Sequence, residues 1–243
     1  KIAKRAEQIL TEGGTIIDVG ACSTRPGSKP VDEACEVKRL TKALTVIRKN
    51  YPDAIISIDT FRASVVKTMQ ANFGIDIVND ISAGELDAKM FQTVADLKLI
   101  YVLMHMKGTP TNMQENPSYD SDIIRELIGF FTKRIEKLKL LGVKDIIIDP
   151  GFGFGKNVDH NYTLLKNLDS FKIFELPILA GISRKSMIYK LLNTSPEKAL
   201  NGTTALNTIA ILNGASILRV HDVREAAEVV KLTEFLISQP KVK

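Results

Sequence analysis

The chain has no tryptophan, only two cysteines and only three histidines in 243 residues. No apolar run approaches the roughly 20 residues that cross a bilayer. Cys22 and Cys35 show neither CxxC spacing nor a His-rich neighbourhood, so structural zinc is not expected and the thiols are read as reduced, in a reducing compartment. The opening KIAKRAEQ carries charges where a secretory leader has its apolar middle, which predicts a cytoplasmic protein without membrane contact. No basic run is interleaved with aromatics either. The formal charge of +5 comes from lysines spread along segments such as RIEKLKLLGVK, the pattern of a solvated helix face rather than of a nucleic-acid surface.

What is present is a recurrence of short blocks rich in Ile, Leu and Val: TIIDVG (15–20), AIISIDT (54–60), IDIVNDI (75–81), LIYVLMHM (99–106), DIIIDPG (145–151), PILAGIS (177–183) and SILRVHD (216–222). They are continuous rather than alternating, which marks parallel strands covered on both faces. Helical spacing fills the intervals. Ile2, Ala6, Ile9 and Leu10 share one face before Gly13-Gly14, and further helices are predicted over 31–49, 62–72, 87–97, 121–141, 160–168, 184–193, 197–213 and 223–238.

Seven strands alternating with helices over this length predict a TIM (β/α)₈ barrel, which typically takes about 250 residues, with a doubly wound open sheet as the rival. One domain over 1–243 is expected, since no linker or low-complexity tract interrupts the chain. The sequence has no initiator Met and opens inside an uncapped amphipathic helix. The barrel's first strand and its loop are therefore expected to belong to the natural protein and to be missing here.

Polar residues gather where each strand ends. They are Asp18 and the STRPG segment, Asp59-Thr60, Asn79-Asp80, His105, Asp149, Ser183-Arg184-Lys185-Ser186, and Arg219, His221 and Asp222. In a barrel these ends meet at one mouth, where such folds place their chemistry. A single Asp at such a junction is more simply a helix cap, but Asp59, Asn79, Asp149 and Lys185 converging from four strands match the N–H and carbonyl edge of a flat heterocycle. Arg219 and His221, two apart on one strand, point the same way and suit an anion, unless they pair locally with Asp222. Ser183 to Ser186 lie between strand and helix, where free backbone N–H groups attract a carboxylate or phosphate or are satisfied by serine capping. His105, between two methionines, reads as a satisfied barrel residue before a base or ligand. DIIIDPGFGFGK (145–156) invites a phosphate-loop reading, yet Pro150 stands where the P-loop needs its first glycine, and Asn157 follows Lys156.

The ordered series STRPG, SIDT, VNDIS, MHMKGTP, DPGFGFGK, SRKS and RVHDV closely resembles dihydropteroate synthase, the folate-pathway enzyme that sulfonamides inhibit. That family joins 6-hydroxymethyl-7,8-dihydropterin pyrophosphate to p-aminobenzoate on a (β/α)₈ barrel. The resemblance implies that Asp59, Asn79, Asp149 and Lys185 hold the pterin, with Met104 packed against it. It gives Arg219 and His221 to the pyrophosphate, and Thr24, Arg25 and Pro26 to a closing loop. Ser186, beside Ser183, falls to the p-aminobenzoate carboxylate, and Phe154 and Pro26 to the walls around its ring. It further implies a homodimer and a magnesium–pyrophosphate, whose Asn ligand belongs to the missing first strand; no metal ligand is assigned in this chain, and impaired or absent activity is expected. Cys22 replaces a glutamate common before the STRPG segment. A pterin-binding methyltransferase module would share the two aspartates and the asparagine but has no use for SRKS, STRPG or Arg219-Val220-His221. An inert barrel fragment is the noncatalytic alternative.

Overall fold

The structure is a computed structural model, and it describes residues 1–21, 31–109, 113, 117–119 and 122–240. Helices and strands alternate: α1 (Ile2–Thr11), β1 (Ile16–Gly20), α2 (Glu33–Asn50), β2 (Ile55–Asp59), α3 (Ala63–Phe73), β3 (Ile77–Asp80), α4 (Met90–Leu97), β4 (Ile100–Met104), α5 (Ile123–Leu140), β5 (Ile146–Asp149), α6 (Val158–Lys166), β6 (Leu179–Ala180), α7 (Ser186–Tyr189), α8 (Leu200–Leu212), β7 (Ile217–Leu218) and α9 (Val223–Ser238). The long helices start where the sequence supplies a cap. Asp32 accepts from the Cys35 N–H at 2.7 Å ahead of α2, and Asp122 accepts from the Ile124 N–H at 3.0 Å ahead of α5. In α2 the acidic residues Glu33 and Glu36 fall in the first turn and Arg48 and Lys49 in the last, complementing the helix dipole.

Strands β1 to β5 pair in parallel in chain order, β6 pairs with β7, and a bridge between Ile148 and Ile178 joins the two groups. An order that never reverses has no switch point, which excludes the doubly wound rival and leaves the barrel. The eighth strand expected ahead of α1 is not among the described residues.

The strand period of two divides each strand into an outward and an inward set. Ile58, Val78, Tyr101, Leu103 and Ile148 point outward and are fully buried with Leu40, Leu44, Val65, Met69, Phe131 and Leu138 of the surrounding helices. Burial of each such aliphatic side chain contributes on the order of 2 kcal/mol. The inward set forms a second, smaller core of Ile77, Val102, Ile147 and Leu179, with Ile16, Ile100 and Ile217 against it. Two residues further along the same strands, that apolar layer gives way to Asp18, Asn79, Met104, Asp149 and Arg219.

Two expectations are corrected. The strands predicted over 177–183 and 216–222 are two-residue pieces, with the Ser216 and Ile217 N–H groups on Ile178 O (2.8 and 3.1 Å) and the Arg219 N–H on Ala180 O (3.0 Å) at the ends of their ladder. The helix predicted over 184–193 is the four-residue α7. Arg184 sits at φ +55° and Asn193 at φ +49°, and a left-handed residue at each end confines any helix between them.

Candidate active site

Register brings the polar strand ends together. Gly20 pairs with Asp59, Asp59 with Asn79, and Met104 with Asp149. Arg219, just past β7, reaches across to the opposite edge of the sheet. Its Nε donates to Asp18 Oδ2 at 2.7 Å and a terminal nitrogen to Asp59 Oδ2 at 3.0 Å. Asp18 Oδ2 also accepts from Asn79 Nδ2 at 3.2 Å, while Asp18 Oδ1 is buried with no partner among the described residues. Burial, and then the charge of Asp18, push the Asp59 carboxyl up to about 7 against the pull of Arg219. Asp59 therefore takes up and releases a proton near neutrality.

On the facing side, Asp149 accepts from the Gly151 N–H at 2.7 Å. Burial raises its carboxyl above the usual range, opposed first by Lys185. Lys185 is brought down to about 8 by burial, with Asp149 opposing; its ammonium donates to Phe152 O at 2.5 Å and lies 4.9 Å from the centre of the Phe154 ring. Gly181 lies beside both cations, 3.7 Å from Lys185 Nζ and 3.8 Å from Arg219 Cβ as measured from where a Cβ would stand, which is ordinary contact distance. Met104 joins Ile81, Met106 and Met113 in an apolar patch with Phe61 and Phe154 at its edge. The mouth thus combines buried carboxylates, an amide, an ammonium and an apolar floor, which suits a flat polar heterocycle.

His221 turns to Ser183, whose Oγ lies 3.0 Å from Nδ1 and 3.2 Å from the His221 N–H. Asp222 accepts from Arg184 Nε at 2.8 Å and from its terminal nitrogen at 2.7 Å, and that guanidinium holds the Asp222 carboxyl low, with the nearby charge of His221 a lesser contributor. Ser186 opens the four-residue α7, whose N-cap position is Lys185 with no side-chain cap bond. Thr24, Arg25 and Pro26 lie outside the described residues.

His105 is buried, bonded to Lys156 and set edge-on to Phe130 at 4.7 Å between centroids. Burial and the neighbouring cations hold it well below the ordinary histidine range, so it is the neutral, satisfied residue expected. Among the described residues no group of three or more His, Cys, Asp or Glu could hold a metal ion, and the Arg219 guanidinium competes for the carboxylate oxygens nearest the mouth. This donor set does not fit a resident magnesium.

Sequence reasoning missed three partnerships: Arg219 with Asp18, Arg184 with Asp222, and His105 with Lys156. The first was within reach, because Asp18 shares the inward phase of Ile16 and Gly20. The others depend on loop geometry that no periodicity encodes.

Residues 1–221 match the family model described as pterin binding enzyme. The dihydropteroate synthase of Escherichia coli (strain K12) is 42% identical over 238 residues, covering 97% of this chain and 83% of that protein. The solved Yersinia pestis dihydropteroate synthase in a sulfonamide drug complex has a TM-score of 0.92 at 39% identity, covering 97% of this chain and 85% of that one. The Xanthomonas albilineans dihydropteroate synthase with 4-aminobenzoic acid has a TM-score of 0.90 at 32% identity, covering 98% and 85%.

Proposed function

The chain belongs to the pterin-binding enzyme family, and from that premise we infer that it carries the dihydropteroate synthase activity. It joins 6-hydroxymethyl-7,8-dihydropterin pyrophosphate to p-aminobenzoate, giving 7,8-dihydropteroate and pyrophosphate. The observation that carries the reading is the pairing of two differently charged walls at one mouth. The buried carboxyls of Asp59 and Asp149, with Lys185, suit the polar edge of a heterocycle, and the Arg219 guanidinium, held by Asp18 and Asp59, suits an anion.

The arylamine is unprotonated at neutral pH and attacks through its nitrogen lone pair. A C–N bond forms at the pterin methylene, the C–O bond to pyrophosphate breaks, and the new nitrogen loses a proton. No protein nucleophile is needed. On this reading Asp149, Asn79 and Asp59 accept from and donate to the pterin edge, Lys185 donates to its carbonyl or ring nitrogen, and Met104 packs against its face. Arg219 and His221 neutralise the departing pyrophosphate, and Ser183 holds the His221 ring. Ser186 takes the p-aminobenzoate carboxylate, Phe154 and Pro26 wall its ring, and Thr24 and Arg25 belong to the loop that excludes water. Because pyrophosphate is a good leaving group, we expect departure to run ahead of attack, with a cation-like pterin methylene facing the carboxylates. Magnesium enters this proposal as the counterion of the substrate's pyrophosphate.

We further propose a cytoplasmic homodimer. Ile209 and Leu212 of α8, with Leu232, Phe235 and Leu236 of α9, leave large apolar side chains exposed, as a protein interface would need.

The test is calorimetry of this chain with pterin pyrophosphate, with and without magnesium, followed by chromatographic detection of dihydropteroate after p-aminobenzoate is added. Magnesium-dependent binding is expected, with product formation impaired as the resemblance implies; a chain that binds no pterin pyrophosphate would sink the assignment.

A further inference from the structure

One buried charge has no part in the chemistry above. Lys156 is 2% exposed, and its Nζ sits 2.9 Å from Gly151 O, 3.1 Å from Phe154 O and 3.0 Å from His105 Nδ1. These three acceptors belong to two loops. Gly151 and Phe154 lie between β5 and α6, while His105 follows β4. The loops also touch through glycines: a Cβ on Gly151 would come within 1.9 Å of His105 O, and one on Gly155 within 2.4 Å of Lys107 O. Downstream, Asn161 Oδ1 accepts from the Gly153 N–H at 2.7 Å and Tyr119 Oη donates to Gly155 O at 3.0 Å. The segment 151–156 is therefore a closed coil wrapped around the ammonium, with Phe154 projecting from it toward Lys185.

We propose that Lys156 is a positioning residue: by tying Gly151 O and Phe154 O to the ring of His105 it fixes where Phe154 stands, and so how tightly the second, aromatic substrate is held. This rests on the reading of Phe154 as a wall of the p-aminobenzoate site.

The tie has a pH signature. Burial lowers Lys156 to about 7, Asp149 opposes that fall, and Lys185 adds to it. The other charged or titratable groups facing this knot are His105, Lys107 and Arg134 around β4 and α5, His160 on α6, and Tyr119, whose hydroxyl burial holds protonated. None of these supplies a carboxylate partner; among the groups acting on Lys156 only Asp149 raises it, and Asp149 also answers to Lys185 and Arg219. As pH rises through about 7 the ammonium becomes an amine, its bonds to the two carbonyls weaken, and Phe154 loosens.

Steady-state kinetics on the K156M variant tests the idea. KM for p-aminobenzoate should rise about tenfold or more, since small misplacements of a positioning group cost that much, while affinity for pterin pyrophosphate stays within about twofold. In the unaltered chain KM for p-aminobenzoate should climb as pH rises through about 7, and in K156M it should be high throughout and lack that step, leaving only a later change as Lys185 titrates near 8. An unchanged KM, or an equal loss of pterin pyrophosphate affinity, would overturn the proposal.

If K156M does not fold, ¹⁵N-imidazole NMR of the unaltered chain decides, because its three histidines give few resonances. His105 Nδ1 should be unprotonated and should respond to a titration near pH 7 without the ring becoming charged. A protonated Nδ1, or one blind to that titration, refutes the tie. A chain that shows this signature but binds no pterin pyrophosphate refutes the function reading instead.

Discussion

Replacing Asp59 by Asn should change how the stability of this protein depends on pH. Asp59 sits beside Asp18 and under Arg219, and its carboxyl is pushed from the ordinary aspartate value of 3.8 up to about 7. A carboxyl raised on folding binds its proton more tightly in the folded state. Its stabilising contribution is present below 3.8 and is lost as pH rises through about 7. The gap corresponds to a ceiling of about 4 kcal/mol, at 1.36 kcal/mol for each pH unit. Asparagine cannot ionise, so the variant lacks that slope. It also loses the Arg219 contact, but that loss at high pH is already contained in the depressed part of the shift. Urea unfolding of both proteins at about pH 4 and about pH 8 gives a double difference in which shape effects cancel. Relative to the parent, the variant should gain about 2–4 kcal/mol on going to the higher pH. A double difference near zero would mean that Asp59 ionises normally and that Arg219 fully compensates the crowding of Asp18.

Asp149→Asn should weaken pterin pyrophosphate binding by about 1–3 kcal/mol, because a group that only accepts becomes half a donor against ring N–H groups; calorimetry reads this directly. Arg219→Ala should weaken pterin pyrophosphate far more than the pterin alcohol, which has no phosphates and feels the guanidinium only through Asp59. Gly151→Ala should destabilise the fold by about 2–5 kcal/mol in thermal unfolding, since its φ of +71° is strained for alanine and its Cβ would strike His105 O. Phe235→Glu should lower the mass seen by sedimentation equilibrium from dimer to monomer; a variant that stays dimeric would move the interface away from α9.

The strand blocks were legible because burial on both faces demands continuous apolar runs. The functional ends were legible because Asp18, Asn79, Asp149 and Arg219 continue the inward phase of Ile16, Ile77, Ile147 and Ile217 by a step of two. The last two strands were read too long because PILAGIS and SILRVHD have strand composition. Their later residues nonetheless leave the ladder, with Ser183 turning to His221 and Arg184 to Asp222. The partner of Asp222 was not legible: Arg184 lies 38 residues away, and only its left-handed backbone aims it there. Lys156 looked like the end of a phosphate loop, and nothing in one-dimensional spacing says that a lysine will turn inward to its own carbonyls.

The contact of Arg219 with Asp18 also bears on the mechanics of the wall. Among the described residues β1 and β7 do not pair with each other, and this guanidinium stitches the end of one to the end of the other. An incoming polyanion that claims the guanidinium takes over the stitch, so the ligand itself becomes a structural member spanning the seam. Resistance to unfolding at that seam should then follow occupancy of the mouth, and local hydrogen exchange along β1 would register a guest before any product appears.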